Sequence, residues 1–123
     1  MQRFLIVCGA GGLGSGARYL ASLLLDRPGA TLPWATMVVN LTGSFLMAGV
    51  LELSLRKTLP PWVSLGLTTG FMGGFTTYSA FNYQTTALAW GGHTGRAALN
   101  VVLTLFGCLA AGMAGVWIAR RWA

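Results

Sequence analysis

Acidic side chains are nearly missing from this chain: Asp26 and Glu52 are the only two in 123 residues. With no pair of carboxylates, a single histidine (His93) and no nucleophile placed beside a base and an orienting group, the usual parts of an enzyme centre are not there. Cysteine is as scarce. Cys8 and Cys108 lie inside apolar stretches with no C-x-x-C or Cys/His spacing, which gives no support to a disulfide framework or a zinc site, and they read as small packing residues. Charge as a whole is rare, 8% of residues against 54% hydrophobic, and such a composition belongs in a membrane.

A spanning helix takes about 20 mainly apolar residues. Four such stretches can be drawn, over residues 4–25, 34–55, 62–90 and 97–119, and together they leave little chain for a soluble domain. The sequence therefore reads as one four-span domain over residues 1–123. The first stretch is too long for a signal-peptide core, lacks a small-residue cleavage site and precedes three more spans, so it is read as retained. The formal charge of +6 would suggest nucleic acid in a soluble protein, but the basic residues sit at the ends of spans and read as membrane-flanking charges. Arg3, Arg56, Lys57, Arg120 and Arg121 fall on one side, Arg27 and Arg96 on the other, a bias that favours both termini in the cytoplasm. Trp34, Trp62, Trp90, Trp117 and Trp122 lie near span ends, as an interfacial aromatic belt would have them.

Small residues recur at helix-packing spacing in Gly12-x-x-x-Gly16, Gly66-x-x-x-Gly70-x-x-x-Gly74 and Ala111-x-x-x-Gly115. Four short helices packed this tightly leave no hydrated path through their own middle, so transport requires a second copy, most simply in a dimer. Gly9-Ala10-Gly11-Gly12-Leu13-Gly14 matches the dinucleotide pattern G-x-G-x-x-G, yet the alternating strands and the ribose-binding acid are missing, and helix packing is the favoured reading.

The segment GFMGGFTTYSAF, residues 70–81, holds three glycines and a Thr-Thr-Tyr-Ser cluster inside an otherwise apolar span. A helix breaks there, and broken backbone at membrane depth survives only in protein or beside a polar cavity. Around Gly73-Gly74-Phe75-Thr76-Thr77 the freed carbonyls can coordinate a small cation, and the half-helix that follows offers its N-terminal dipole. Tyr78 and Phe81 are a turn apart, so their rings can share one side and present positive edges to an anion, or simply pack the bundle. Arg18, deep in the first span, either lures an anion into a vestibule or snorkels to the interface. Asn40, Thr42 and Ser44 interrupt the second span, and Asn100, Thr104 and Cys108 share one face of the fourth. These groups donate without charge, as a partly dehydrated anion requires, or they bond helix to helix.

GGLGSGARY (residues 11–19), VNLTGSF (39–45) and GFMGGFTTYSAF (70–81) together resemble the Fluc/CrcB family of fluoride-specific ion channels. The resemblance implies an all-α membrane protein of four transmembrane helices with a broken third helix. It implies an antiparallel, dual-topology homodimer in the inner membrane of a prokaryote that exports cytoplasmic fluoride passively. It places a structural, non-transported Na+ on backbone carbonyls at Gly73 and Thr76. A fluoride pathway would run past Asn40, Tyr78, Phe81, Asn100 and Thr104, with Arg18 matching the arginine of the first motif. Tyr78 stands in place of a phenylalanine, Asn100 and Cys108 alter the polar track of the last helix, and Gln84 stands where relatives often carry Glu. The resemblance and the charge bias make opposite statements about topology, and the three motifs outweigh a bias. Two other readings compete: a proton-coupled small multidrug exporter, which needs a membrane-embedded acid, and an assembly subunit without transport, which leaves the broken span unexplained.

Overall fold

Long apolar runs with few β-branched clusters and no alternating pattern fold as helices, and the described residues, 1–122 of this computed structural model, contain no strand. Helix α1 is Gln2–Leu25, α2 is Trp34–Leu55, α3 covers residues 61–75, α4 is Tyr78–Trp90 and α5 is Thr94–Trp122. Three of these, α1, α2 and α5, with 24, 22 and 29 residues, are long and apolar enough to cross a membrane. The third apolar stretch is instead two shorter helices separated at Thr76 and Thr77. Helix α3 is itself composite. It begins at Pro61, whose missing N–H costs nothing in a first turn, and runs α-helically over Pro61–Leu65. It then widens to i→i+5 bonding over Gly66–Met72 and closes with one α-helical turn, Gly73–Phe75.

The burial pattern is that of a protein solvated by lipid. Thr36, Asn40, Ser64, Thr68, Thr77, Asn100 and Thr104 are buried, while Leu13, Leu24, Leu55, Phe106 and Met113 are exposed. Polar groups turned inward and large apolar groups turned outward is the order that hydrocarbon surroundings impose.

Close contacts fix the helix directions. Gly66 lies against Ile6, Gly70 against Ala10 and Gly74 against Ser15, so α3 runs parallel to α1. Gly107 lies against Leu41 and Gly115 against Phe45, so α5 runs parallel to α2, and this pair packs about as extensively as α1 does with α3. At three positions the approach is backbone on backbone: a Cβ on Gly14 would collide with the Phe71 carbonyl, one on Gly74 with the Gly11 carbonyl, and one on Gly115 with the Phe45 carbonyl. The expected Gly12-x-x-x-Gly16 stripe plays no such part, since neither glycine has an atom within 4 Å of where its Cβ would be. Cys8 is exposed on α1, which corrects its reading as a packing residue within the chain.

Helices α4 and α5 form a tight hairpin through Gly91, Gly92 and His93, with Gly92 at φ +81°. At the far end of α5, Arg120 reaches Glu52 of α2 at 3.0 Å, and Arg56 reaches the same carboxylate oxygen at 3.0 Å.

Candidate functional site

The break between α3 and α4 is built by side chains that take over backbone bonds. Asn40, buried on α2, donates from Nδ2 to the Thr77 carbonyl at 3.0 Å and accepts the Thr77 N–H on Oδ1 at 2.8 Å. One amide thus holds both polar groups of one residue, as a neighbouring strand would. In an unbroken helix the Thr77 N–H would serve the Gly73 carbonyl, which loses that donor here. The Ala80 N–H, the helical donor for the Thr76 carbonyl, goes instead to Thr77 Oγ1 at 3.2 Å, which caps α4. Thr76 stays tied to the end of α3, its N–H and its hydroxyl both donating to the Met72 carbonyl, at 2.9 and 2.8 Å.

The carbonyls of Gly73 and Thr76, the two positions expected to hold a cation, are therefore among those freed by the break. Gly73 is exposed on the surface of the single chain. Among the described residues no three His, Cys, Asp or Glu side chains converge, so a cation here would be met by neutral oxygens. Such a donor set suits a hard monovalent ion, and the residues fit sodium.

A groove of about 610 Å³ opens beside the break, between α2, the break itself, the start of α4 and α5. Asn40, Thr76, Tyr78, Phe81, Thr104 and Cys108 all line it, and Ser44 adds a hydroxyl. The rings of Tyr78 and Phe81 lie 5.9 Å apart at 49°, on one side of α4, with Tyr78 77% exposed at the open face. The wall between these polar groups is apolar, from Met47, Val101, Leu105 and Leu109. The lining thus offers an anion two aromatic rings and neutral donors, and no carboxylate.

Two of the expected pathway residues lie elsewhere. Asn100 is fully enclosed between α4 and α5, where its Nδ2 donates to Thr85 Oγ1 at 2.8 Å, and it does not reach the groove wall. Arg18 is half-buried on α1 and is not part of the lining; both salt bridges among the described residues belong to Glu52. Reading the sequence alone placed Thr77 in the broken segment without giving it a role of its own, and missed Thr85, which bonds Asn100. A Thr before Tyr78-Ser79-Ala80 was a legible N-cap signal, whereas the Thr85–Asn100 pairing appears only in the folded chain.

A comparison with protein families matches residues 5–116 to the CrcB-like protein, Camphor Resistance (CrcB) family. The chain belongs to the CrcB family. Curated relatives in the family include a fluoride-specific ion channel FluC of Anaeromyxobacter dehalogenans, 48% identical over 98% of this chain and 97% of its own length. A Geobacter sulfurreducens protein of the same name is 41% identical over 98% and 99%, and one from Thermus thermophilus 45% identical over 86% of each. With three apolar helices and relatives named as ion channels, the chain is a membrane protein. Membership in CrcB also removes the exporter reading, whose acid was missing in any case: Glu52, at the end of α2, is engaged by two arginines.

Proposed function

We propose that this chain is a fluoride-selective channel that lets cytoplasmic fluoride leave the cell passively. The observation that carries the reading is the groove at the break, where Tyr78 and Phe81 face Asn40 and Thr104 across a space with neutral donors and no acid. Fluoride is small and strongly hydrated, and selecting it takes a narrow path whose donors replace water a few at a time. The naming of the relatives supports the same ion. Arg18 acts outside the groove, as a positive charge that raises the local anion concentration.

Helix α3 is about 22 Å long and α4 about 20 Å at 1.5 Å per residue, each too short to cross a ~30 Å hydrocarbon core. Joined through the break they make the third of four crossings, in keeping with α3 parallel to α1 and α5 parallel to α2. The groove lies open on one side of the single chain, so a second copy closes it. The working form is an antiparallel homodimer in the inner membrane of a prokaryote, with sodium held at its centre by the freed carbonyls of Gly73 and Thr76. Tags on the C-terminus should then be reached by impermeant probes from both sides of the membrane; labelling from one side only counts against dual topology.

The deciding experiment is fluoride efflux from liposomes containing the purified protein, with chloride efflux measured in parallel. Fast fluoride loss without comparable chloride loss is expected, and equal loss of both ions, or none from a folded dimer, refutes the assignment. Phe81→Ile keeps apolar bulk but removes the ring edge, and it should abolish fluoride efflux while the dimer elutes unchanged in size-exclusion chromatography. A ligand that binds only the folded state raises stability by mass action. Transfer to sodium-free buffer should therefore lower the unfolding midpoint, with recovery on adding sodium.

A further inference from the structure

Between α4 and α5 the hydrogen-bond bookkeeping leaves a remainder. Thr85 Oγ1 donates its single hydrogen to the Phe81 carbonyl at 2.7 Å, so toward Asn100 it can only accept. That fixes the Asn100 amide: Nδ2 must point at Thr85, at 2.8 Å, and Oδ1 must point away. Asn100 is 0% exposed, and its Oδ1 has no protein partner. One turn on, along the same face of α5, Thr104 is 7% exposed and its Oγ1 is also without a partner. Gln84, the neighbour of Thr85 on α4, has a third enclosed oxygen, Oε1, in the same condition.

Buried polar atoms are nearly always bonded, to protein or to ordered water, and leaving one bare is costly. An amide oxygen accepts and cannot donate. The missing occupant at Asn100 is therefore a donor, which excludes a bare anion. No ionised partner lies on the facing residues Phe81, Gln84 and Thr85, so a neutral donor suffices.

We infer that an ordered water molecule sits between α4 and α5, donating to Asn100 Oδ1 and bonded to Thr104 Oγ1. This follows from hydrogen-bond accounting alone and does not depend on the fluoride reading. Where that reading also holds, the consequence is that Asn100 meets water rather than fluoride, and that Thr104 stands where this enclosed water borders the groove. Asn100 then acts as a positioning residue, which sets Thr85, and through it the Phe81 carbonyl, from behind.

Two measurements on the assembled protein test this. A structure at a resolution that shows waters should have density within about 3.2 Å of Asn100 Oδ1. Thr104→Val, which keeps shape and removes the hydroxyl, should lower the unfolding midpoint, since it takes a bond from the water. A bare hydroxyl would behave in the opposite way, because replacing an unsatisfied buried group by a methyl stabilises. Bare space at Asn100 Oδ1, a side chain of a second copy bonded to it, or a midpoint that is unchanged or raised in Thr104→Val would each overturn the assignment. Both readouts are independent of transport, so a failure here is distinguishable from a failure of the channel reading.

Discussion

Asn40→Leu is expected to be among the most damaging single substitutions in this protein, unfolding it at markedly lower temperature and abolishing flux. The leucine repeats the branching of the amide, one Cγ with two terminal heavy atoms, so the shape presented by α2 is largely kept. What is lost is the pair of bonds to the N–H and carbonyl of Thr77. Both groups are buried beside a break that offers no helical substitute, and each unsatisfied buried group costs about 1–3 kcal/mol. The sum, on the order of 2–6 kcal/mol, falls on the segment that carries Tyr78 and Phe81. Asn40→Asp separates the two bonds. The carboxylate still accepts from the Thr77 N–H but sets a negative oxygen against the Thr77 carbonyl, so flux should be lost there too. Thermal unfolding of the purified variants, followed by liposome efflux, checks both; a Leu variant with wild-type midpoint and flux would mean the amide does not hold the break.

The second large effect is expected for Gly14→Ala, and here two arguments disagree in sign. Alanine is the better helix former by about 1 kcal/mol, so propensity alone forecasts a gain. The added Cβ, however, meets the Phe71 carbonyl and lies 3.0 Å from the Phe75 nitrogen, main-chain atoms that cannot rotate away. Overpacking usually costs about 1–3 kcal/mol, and a rigid obstacle puts this site at the upper end, so destabilisation wins. Moving α3 outward also displaces Phe75 and the break after it, which couples the packing error to function. Gly12→Ala and Gly16→Ala, with open space at the Cβ position, serve as controls that should be neutral or mildly stabilising. If all three variants unfold alike, the close approach of α1 and α3 is not what Gly14 is for.

The membrane class and the location of the break near Thr76 were legible because they depend on composition and on polar residues out of place in an apolar run. The cause of the break was not. Gly73 and Gly74 look like helix breakers, yet both are helical, and Gly74 sits where its Cβ would strike the Gly11 carbonyl. In lipid, glycine serves close approach at least as much as flexibility. The break comes from Thr77, whose hydroxyl caps one helix while Asn40 takes its backbone, and that partner lies 37 residues away in sequence. Asn40 reads from the sequence as a donor for an anion; in the fold one of its amide hydrogens and its oxygen are bonded to Thr77, and one amide hydrogen is left over beside the groove. The spacing of Asn100, Thr104 and Cys108 correctly puts them on one helix face. No spacing rule tells which end of that face a neighbouring helix will cover, and α4 covers Asn100. The widened stretch Gly66–Met72 leaves no mark in composition at all.

The pairing of α2 with α5 has a consequence for how the molecule comes to exist. A chain emerges from the ribosome N-terminus first, so α1 meets its partner α3 while synthesis is still under way. Helix α2 must wait in the bilayer with Gly49 uncovered until Thr94–Trp122, made after it, arrives alongside. The groove therefore takes shape only when this contact is made, and a ribosome stalled before α5 leaves a product without the groove's α5 wall.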